Sequence, residues 1–269
     1  MKRILSIQDL SCLGKCSLTV ALPILSAMGL SAAALPTAVL SSHTGFPNPV
    51  CHSFTRELVS FADHWKSVGA AFDAISVGYL SDPRQARQVM AVLERFPALT
   101  VIDPAMGDHG RLYSGMTERH VKAMAALCRK GDYLLPNLTE AALLTGNPYP
   151  EAPGEADLRK LLTQLMAFGG KGAVITGIPW DPDTTGFAGC HADTGFFFYK
   201  ARRLPCASHG TGDMFCAVTT GALALGKTLE QAATLAAQFV EQVVSETGHP
   251  TPFGARFEPC LPWLWNRLH

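Results

Sequence analysis

Short runs of apolar residues alternate along the chain with longer segments in which apolar residues recur every three or four positions. The short runs predict buried strands, because both faces of a parallel strand are covered, and the longer segments predict helices. The predicted strands are residues 3–7, 32–40, 74–78, 99–103, 133–136, 173–176, 187–190 and 195–200. The predicted helices are residues 17–28, 54–69, 83–96, 117–128, 139–144, 158–168, 214–225, 229–247 and 257–268.

This alternation predicts an α/β fold in which helices cover both faces of a central, mostly parallel sheet. The last two strands are joined by a turn at 191–194 and are expected to form a hairpin. Because no repeat, linker or low-complexity tract interrupts the 269 residues, we expect a single three-layer α/β/α domain over residues 1–269.

Composition narrows the classes of function. Hydrophobic residues make up 48% of the chain and charged residues 16%, which excludes a disordered protein. Lys plus Arg and Asp plus Glu number 22 each, so no overall positive field attracts nucleic acid. The eight cysteines form no C-x-x-C pair, and the N-terminus lacks the apolar core of a signal peptide. We therefore expect reduced thiols and a cytoplasmic location.

One uncharged segment, residues 16–42, imitates a membrane span. Pro23, Gly29 and Pro36 are expected to break it, and its second part has the pattern of a buried strand. A helix followed by a buried strand explains the hydropathy better than a span does, so we expect no membrane partner.

Two clusters of polar residues follow predicted strands, where ligands bind in open α/β sheets. In the first, Asp103 and Asp108 are separated by a turn, and paired carboxylates of this kind suit Mg²⁺. In the second, Asn137 and Glu140 can lie on one side of a first helical turn. The alternatives are an ordinary Asp-Pro turn for the first cluster and helix capping for the second.

The third cluster, residues 208–213, precedes a helix of small residues. The backbone N–H groups of Gly210, Thr211 and Gly212, together with the helix N-terminus, predict a binding site for an anion. Asp213 would repel a phosphate but suits a general base that acts on the nucleophile. The alternative is a glycine-rich turn with an acidic residue in the first helical turn. The chain contains neither a P-loop nor a G-x-S-x-G motif.

The run Gly210-Thr211-Gly212-Asp213 resembles the anion-hole motif of the ribokinase-like superfamily. Within that superfamily the chain is similar to the vitamin B6 kinases. Further segments carry this resemblance in the same order along the chain: Leu5-Ser6-Ile7-Gln8, Ser42-His43-Thr44-Gly45-Phe46, Gly78-Tyr79, Asp103-Pro104-Ala105-Met106-Gly107-Asp108, and Pro136-Asn137 with Glu140.

The resemblance implies ATP-dependent phosphorylation of the 5′-hydroxymethyl group of pyridoxal, pyridoxine or pyridoxamine by a homodimer. It implies that Asp213 is the base and that the backbone of Gly210, Thr211 and Gly212 stabilises the transferred phosphoryl group. It also implies which residues bind the ligands. The ATP phosphates, Mg²⁺ and a monovalent cation such as K⁺ would be bound by Asp103, Asp108, Asn137 and Glu140, and Thr176 would approach the nucleotide. The vitamer would be contacted by Asp9, His43, Thr44 and Tyr79.

The chain departs from the B6 kinase pattern at Asp9, where a serine is typical. Asp9 and His209 are similar to the hydroxymethylpyrimidine kinases of thiamine synthesis, but those enzymes usually carry cysteine in place of Asp213. The alternatives are therefore a hydroxymethylpyrimidine or sugar kinase and a non-catalytic vitamer-binding protein. Asp213 argues against the binding protein, which needs no base. Packing in the core is the alternative for His43 and Tyr79. A carboxylate at Asp9 would favour the cationic pyridoxamine.

Overall fold

The computed structural model describes residues 1–204 and 209–269, and within them it forms a nine-stranded sheet and a separate two-stranded ribbon. Ser208, at the start of the third predicted cluster, lies outside the described residues. The strands are β1 (Arg3–Ser11), β2 (Ser31–Leu40), β3 (Cys51–Ser53), β4 (Ala74–Val77), β5 (Leu99–Ile102), β6 (Gly107–Asp108), β7 (Arg111–Leu112), β8 (Tyr133–Leu134), β9 (Gly172–Pro179), β10 (Thr184–His191) and β11 (Gly195–Arg202).

The helices follow the predicted order, with ends shifted by a few residues. They are α1 (Leu18–Ala27), α2 (Glu57–Ser67), α3 (Arg84–Arg95), α4 (Glu118–Cys128), α5 (Leu138–Thr145), α6 (Glu155–Met166), α7 (Thr211–Ala224), α8 (Leu229–Thr247) and α9 (Leu261–Leu268), and a 3₁₀ turn at Glu258–Cys260 precedes the last of them. Among the helices of the described ranges, none combines the length and apolar character needed to cross a bilayer.

The strand order of the large sheet is β11-β10-β9-β8-β5-β4-β1-β2-β3. Neighbours from β2 to β9 in this order run parallel, whereas β3, β10 and β11 are antiparallel additions at the two edges. Alternate residues of each strand face opposite sides of the sheet, so Ile4 packs into one core and Leu5 into the other. Helices α1, α7, α8 and α9 build the first core and α2 to α6 the second, which confirms the predicted three-layer α/β/α architecture.

Segment 16–42 breaks at fewer places than predicted. Pro23 lies inside α1 and Pro36 inside β2, so only the turn between α1 and β2 separates the two elements. Pro36 is tolerated because the pairing of β2 with β1 becomes irregular just after it, between Gln8 and Leu10. Such an irregularity is a place where a missing backbone N–H costs little.

Candidate active site

The carboxyl ends of the parallel strands border a cavity of about 640 Å³. Every residue that the sequence singled out as a site residue lines this cavity. They are Asp9, His43, Thr44, Tyr79, Asp103, Asp108, Asn137, Glu140, Thr176, Gly210, Thr211, Gly212 and Asp213. The parallel strands β1, β2, β4, β5, β8 and β9 and the start of α7 contribute to it, because parallel strands all end at the same edge of the sheet.

The glycine-rich turn before α7 forms the middle of the cavity wall. Gly210 has φ +87°, and a Cβ there would collide with the backbone carbonyl of Lys15, so this position requires glycine. At Gly212 a Cβ would meet no atom within 4 Å, because this residue faces the open cavity. The N-terminus of a fourteen-residue helix thus points its positive dipole end at the cavity, as an anion site requires.

Asp213 lies in the first turn of α7, beside this anion site. Burial, with a smaller contribution from the nearby charge of Asp9, raises the pKa of Asp213 to about 7, and hydrogen bonds from Ser17 partly oppose the rise. A carboxylate with a pKa near 7 can accept a proton at neutral pH and release it again, which suits a general base.

Asp9 is buried in β1, and both of its oxygens accept hydrogen bonds. Ser17 Oγ donates to Oδ1 at 2.5 Å, and Ser11 Oγ donates to Oδ2 at 2.9 Å. Burial raises the pKa of Asp9, and these two hydroxyl groups oppose that rise. The carboxylate is therefore fixed in direction, and a cationic ligand beside it would be favoured.

His43 is buried, and both of its ring nitrogens have partners within the chain. Nδ1 accepts a hydrogen bond from the backbone N–H of Gly45 at 3.1 Å, which leaves Nε2 to donate to the carbonyl of Pro252 at 2.8 Å. The ring also lies 4.5 Å from that of His209. His43 can therefore contribute packing to a bound ligand, and its hydrogen bonds connect two loops around the cavity.

Asn137 and Glu140 form a reciprocal cap at the start of α5. Glu140 N–H donates to Asn137 Oδ1 at 3.0 Å, and Asn137 N–H donates to Glu140 Oε2 at 2.9 Å. The same two side chains also hold the turn after β5, because Asn137 Nδ2 donates to the carbonyl of Gly107 at 2.8 Å and Met106 N–H donates to Glu140 Oε1 at 3.0 Å. The two residues therefore cap α5 and also hold in place the turn that forms the cavity floor.

The floor of the cavity offers oxygen ligands for a divalent cation. Burial raises the pKa of Asp103 and of Glu140; the charge of Asp213 adds to the rise at Asp103, and the charge of Asp103 adds to the rise at Glu140. A cation would relieve the repulsion between these charges, and Mg²⁺ usually takes one or two carboxylates and completes its shell with waters and phosphate oxygens. Asp103 and Glu140 therefore fit a Mg²⁺ site.

Asp108 stands apart from this pair. It lies at the end of β6, its side chain is 53% exposed, and its Oδ1 accepts the backbone N–H of His109 at 2.8 Å. In the part of the chain that the structure describes, no three His, Cys, Asp or Glu side chains gather into a metal-binding group. Asp103, Asp108 and Glu140 thus line one cavity without forming a single cluster, and a role of Asp108 beside a cation stays a prediction.

Sequence reasoning missed several residues that line the same cavity. Tyr199 on β11 donates a hydrogen bond to Glu241 on α8 at 2.8 Å, and its ring stacks on that of Phe187. Ser17, which hydrogen-bonds Asp9, and Tyr113, which follows the β6–β7 ribbon, were missed as well. None of these residues belongs to a motif, and only the placement of α1, α8, the β10–β11 hairpin and the β6–β7 ribbon around the sheet brings them to the cavity.

The sequence of this chain is similar to that of known kinases. The phosphomethylpyrimidine kinase family model matches residues 22–260. A pyridoxine/pyridoxal/pyridoxamine kinase from Bordetella avium is 32% identical over 260 residues, which are 91% of this chain and 85% of the relative.

Two solved structures are similar over nearly their whole length. The pyridoxal kinase of Lactobacillus plantarum is 35% identical, with a TM-score of 0.92 over 99% of this chain and 98% of its own. A Bacteroides thetaiotaomicron protein classed as a phosphomethylpyrimidine kinase, in a crystal form with pyridoxal, is 36% identical. Its TM-score is 0.93 over 98% of this chain and 95% of its own.

Proposed function

Because the chain belongs to the phosphomethylpyrimidine kinase family and, within the ribokinase-like superfamily, to the vitamin B6 kinases, we propose that it phosphorylates B6 vitamers with ATP. The group that is phosphorylated is the 5′-hydroxymethyl group of pyridoxal, pyridoxine or pyridoxamine. The observation that carries this proposal is the placement of Asp213, with a pKa raised to about 7, beside a glycine turn at a helix N-terminus.

In the proposed reaction, the 5′-hydroxyl oxygen attacks the γ-phosphorus of ATP. Asp213 accepts the hydroxyl proton, the new P–O bond forms, and the bond to the β-phosphate breaks to release ADP. The backbone N–H groups of Gly210, Thr211 and Gly212 donate hydrogen bonds to the oxygens of the transferred phosphoryl group in the transition state. Since these donors are fixed by the turn and by α7, no reorganisation is needed when the charge develops.

The two ends of the cavity take the two substrates. Asp9, His43, Thr44 and Tyr79 surround the vitamer, and burial raises the pKa of Tyr79 to about 12, so its phenol stays neutral. Thr176 lies on the nucleotide side. Asp103 and Glu140 would hold Mg²⁺, which supplies charge neutralisation for the phosphates when bound. Dependence on a monovalent cation such as K⁺ stays a prediction from the resemblance.

The activity is best described as that of a pyridoxal kinase that also accepts the two other vitamers, with the charge of Asp9 favouring pyridoxamine. The runner-up substrate, hydroxymethylpyrimidine, is disfavoured because those kinases usually carry cysteine at the position of Asp213. A non-catalytic vitamer-binding protein is disfavoured because it would gain nothing from a buried carboxylate whose raised pKa weakens the fold.

Release of ADP, measured with ATP, Mg²⁺ and one acceptor at a time, tests the proposal. The acceptors are pyridoxal, pyridoxine, pyridoxamine, hydroxymethylpyrimidine and ribose, and a reaction without acceptor is the control. We expect ADP release with the three vitamers well above the control. Release with hydroxymethylpyrimidine or ribose alone, or vitamer binding by calorimetry without any ADP release, would assign the chain to one of the alternatives.

We also propose a homodimer in the cytoplasm, on the family resemblance. All seven cysteines within the described ranges are free thiols, which supports a reducing compartment. Light scattering coupled to size-exclusion chromatography measures the mass directly. A value near 28.8 kDa across the micromolar range would exclude the dimer.

A further inference from the structure

Ser17 adopts a backbone conformation that serine seldom takes. Its φ is +54° and its ψ is −126°, which lies in the half of φ/ψ space that glycine favours. A strained conformation of this kind persists only where the surrounding structure enforces it, and it is often found at functional sites. Glycine would occupy this position without strain.

Ser17 also lacks the hydrogen bond that a serine side chain usually makes at its position in a helix. It is the N-cap residue of α1, where a serine side chain normally accepts a hydrogen bond from an amide of the first helical turn. Here the side chain makes no capping hydrogen bond. The hydroxyl instead donates to Asp9 Oδ1 at 2.5 Å, across the base of the cavity.

The same residue lies against Asp213. Hydrogen bonding by Ser17, chiefly from its backbone N–H, partly offsets the burial that raises the pKa of Asp213. A serine hydroxyl has only one proton, and the short bond to Asp9 uses it. Ser17 therefore stands between the two carboxylates, with its hydroxyl proton committed to Asp9 and its backbone N–H directed at Asp213.

We propose that Ser17 is a positioning residue whose hydroxyl fixes the carboxylate of Asp9 toward the vitamer, at a set distance from Asp213. This proposal rests on the proposed function, in which Asp9 faces the substituents of the vitamer ring. Without the hydroxyl, Ser11 alone directs Asp9, and the carboxylate can turn away from the ring. The strain at Ser17 and the missing cap are accounted for by this role.

Two substitutions separate the hydroxyl from the backbone strain. Ser17→Gly removes the hydroxyl and relieves the positive φ, whereas Ser17→Ala removes the hydroxyl and keeps the strain. We expect kcat/KM for pyridoxamine to fall in both variants by roughly 10- to 100-fold, the range for losing a hydrogen bond to a charged group. The melting temperature of Ser17→Ala should be the lower of the two. Asn48→Gly, which relieves a φ of +51° at an exposed position outside the site, should leave the activity unchanged.

A double-mutant cycle with Asp9→Ser shows whether Ser17 acts through Asp9. If it does, adding Ser17→Gly to Asp9→Ser changes kcat/KM by less than about twofold, because the partner of the hydroxyl is already gone. An equal loss in both backgrounds, or activity of Ser17→Gly within twofold of the parent protein, would overturn the proposal. The parent protein in the same assay tests the proposed function separately: absence of ADP release with every vitamer there would refute that function, and the role of Ser17 with it, whereas a parent protein that is active and a Ser17→Gly variant that is equally active would refute the role of Ser17 alone.

Discussion

Glu140 on α5 accepts a hydrogen bond from the backbone N–H of Met106 at 3.0 Å, so one carboxylate holds the turn that follows β5. Asp103 begins this turn, and its negative charge adds to the effect of burial in raising the pKa of Glu140. The two residues nevertheless have different surroundings, because Glu140 is bound by backbone amides and no hydrogen bond to the Asp103 side chain is seen in the described ranges. Because of this difference, replacing Asp103 and replacing Glu140 should change the stability of the protein differently.

Asp103→Asn is expected to raise the Mg²⁺ concentration needed for half-maximal activity by about 10-fold or more, because it removes a charged ligand. Its melting temperature should not fall, since a repelled carboxylate is removed. Glu140→Gln should raise the Mg²⁺ requirement and also lower the melting temperature, because an amide oxygen can replace only one of the two acceptors. Mg²⁺ titrations of activity and melting curves measure both effects. An unchanged Mg²⁺ requirement in both variants would leave these residues only structural roles.

The pH dependence of kcat/KM should show an acid limb near pH 7. Burial raises the pKa of Asp213 to about 7, so below that pH the base is protonated and cannot accept the proton of the hydroxyl. The rate constant should therefore fall about tenfold for each pH unit below the pKa. A profile that stays flat from pH 8 to pH 5 would contradict this expectation, because the Asp213 carboxylate would then be ionised throughout.

Gly210→Ala should disrupt the anion site. The added Cβ would collide with the carbonyl of Lys15, and alanine is disfavoured at a φ of +87°. Gly226→Ala is the matched control, since Gly226 has φ +90° but a Cβ there meets no atom within 4 Å. Both variants should lose about 1 kcal/mol of stability through the positive φ, whereas only Gly210→Ala should lose more than about 10-fold in kcat. Equal activity of the two variants would contradict the proposed role of the turn.

The sequence was sufficient to identify the floor and the glycine turn of the cavity, because polar residues that follow strands of a parallel sheet meet at one edge. It was insufficient for Ser17, whose contact with Asp9 depends on how α1 packs against β1. It also missed β3 and the β6–β7 ribbon, which are two or three residues long and too short to show a periodic pattern. Asp108 was grouped with Asp103 from their spacing and from the family resemblance; it lines the same cavity, but its side chain is 53% exposed.

Asp9→Ser should narrow any preference for pyridoxamine over pyridoxal. The Asp9 carboxylate is buried, and a buried negative charge interacts with a cationic aminomethyl group more strongly than it would in water. We expect the ratio of the two kcat/KM values to change by about 1–2 kcal/mol, or roughly 5- to 30-fold. Steady-state kinetics with all three vitamers on both proteins measures the ratio. An unchanged ratio would show that Asp9 does not distinguish the amine.

The most direct test compares the parent protein with Asp213→Asn, using ³¹P NMR to follow the product formed from pyridoxal, ATP and Mg²⁺. We expect the parent protein to form pyridoxal 5′-phosphate and ADP in equal amounts. Asp213→Asn should bind pyridoxal with similar affinity by calorimetry but form the product about 10²- to 10⁴-fold more slowly, the usual contribution of a positioned base. Turnover by Asp213→Asn within a few fold of the parent protein, or a phosphate at any position other than the 5′-oxygen, would contradict the assignment of Asp213 as the base of a B6 kinase.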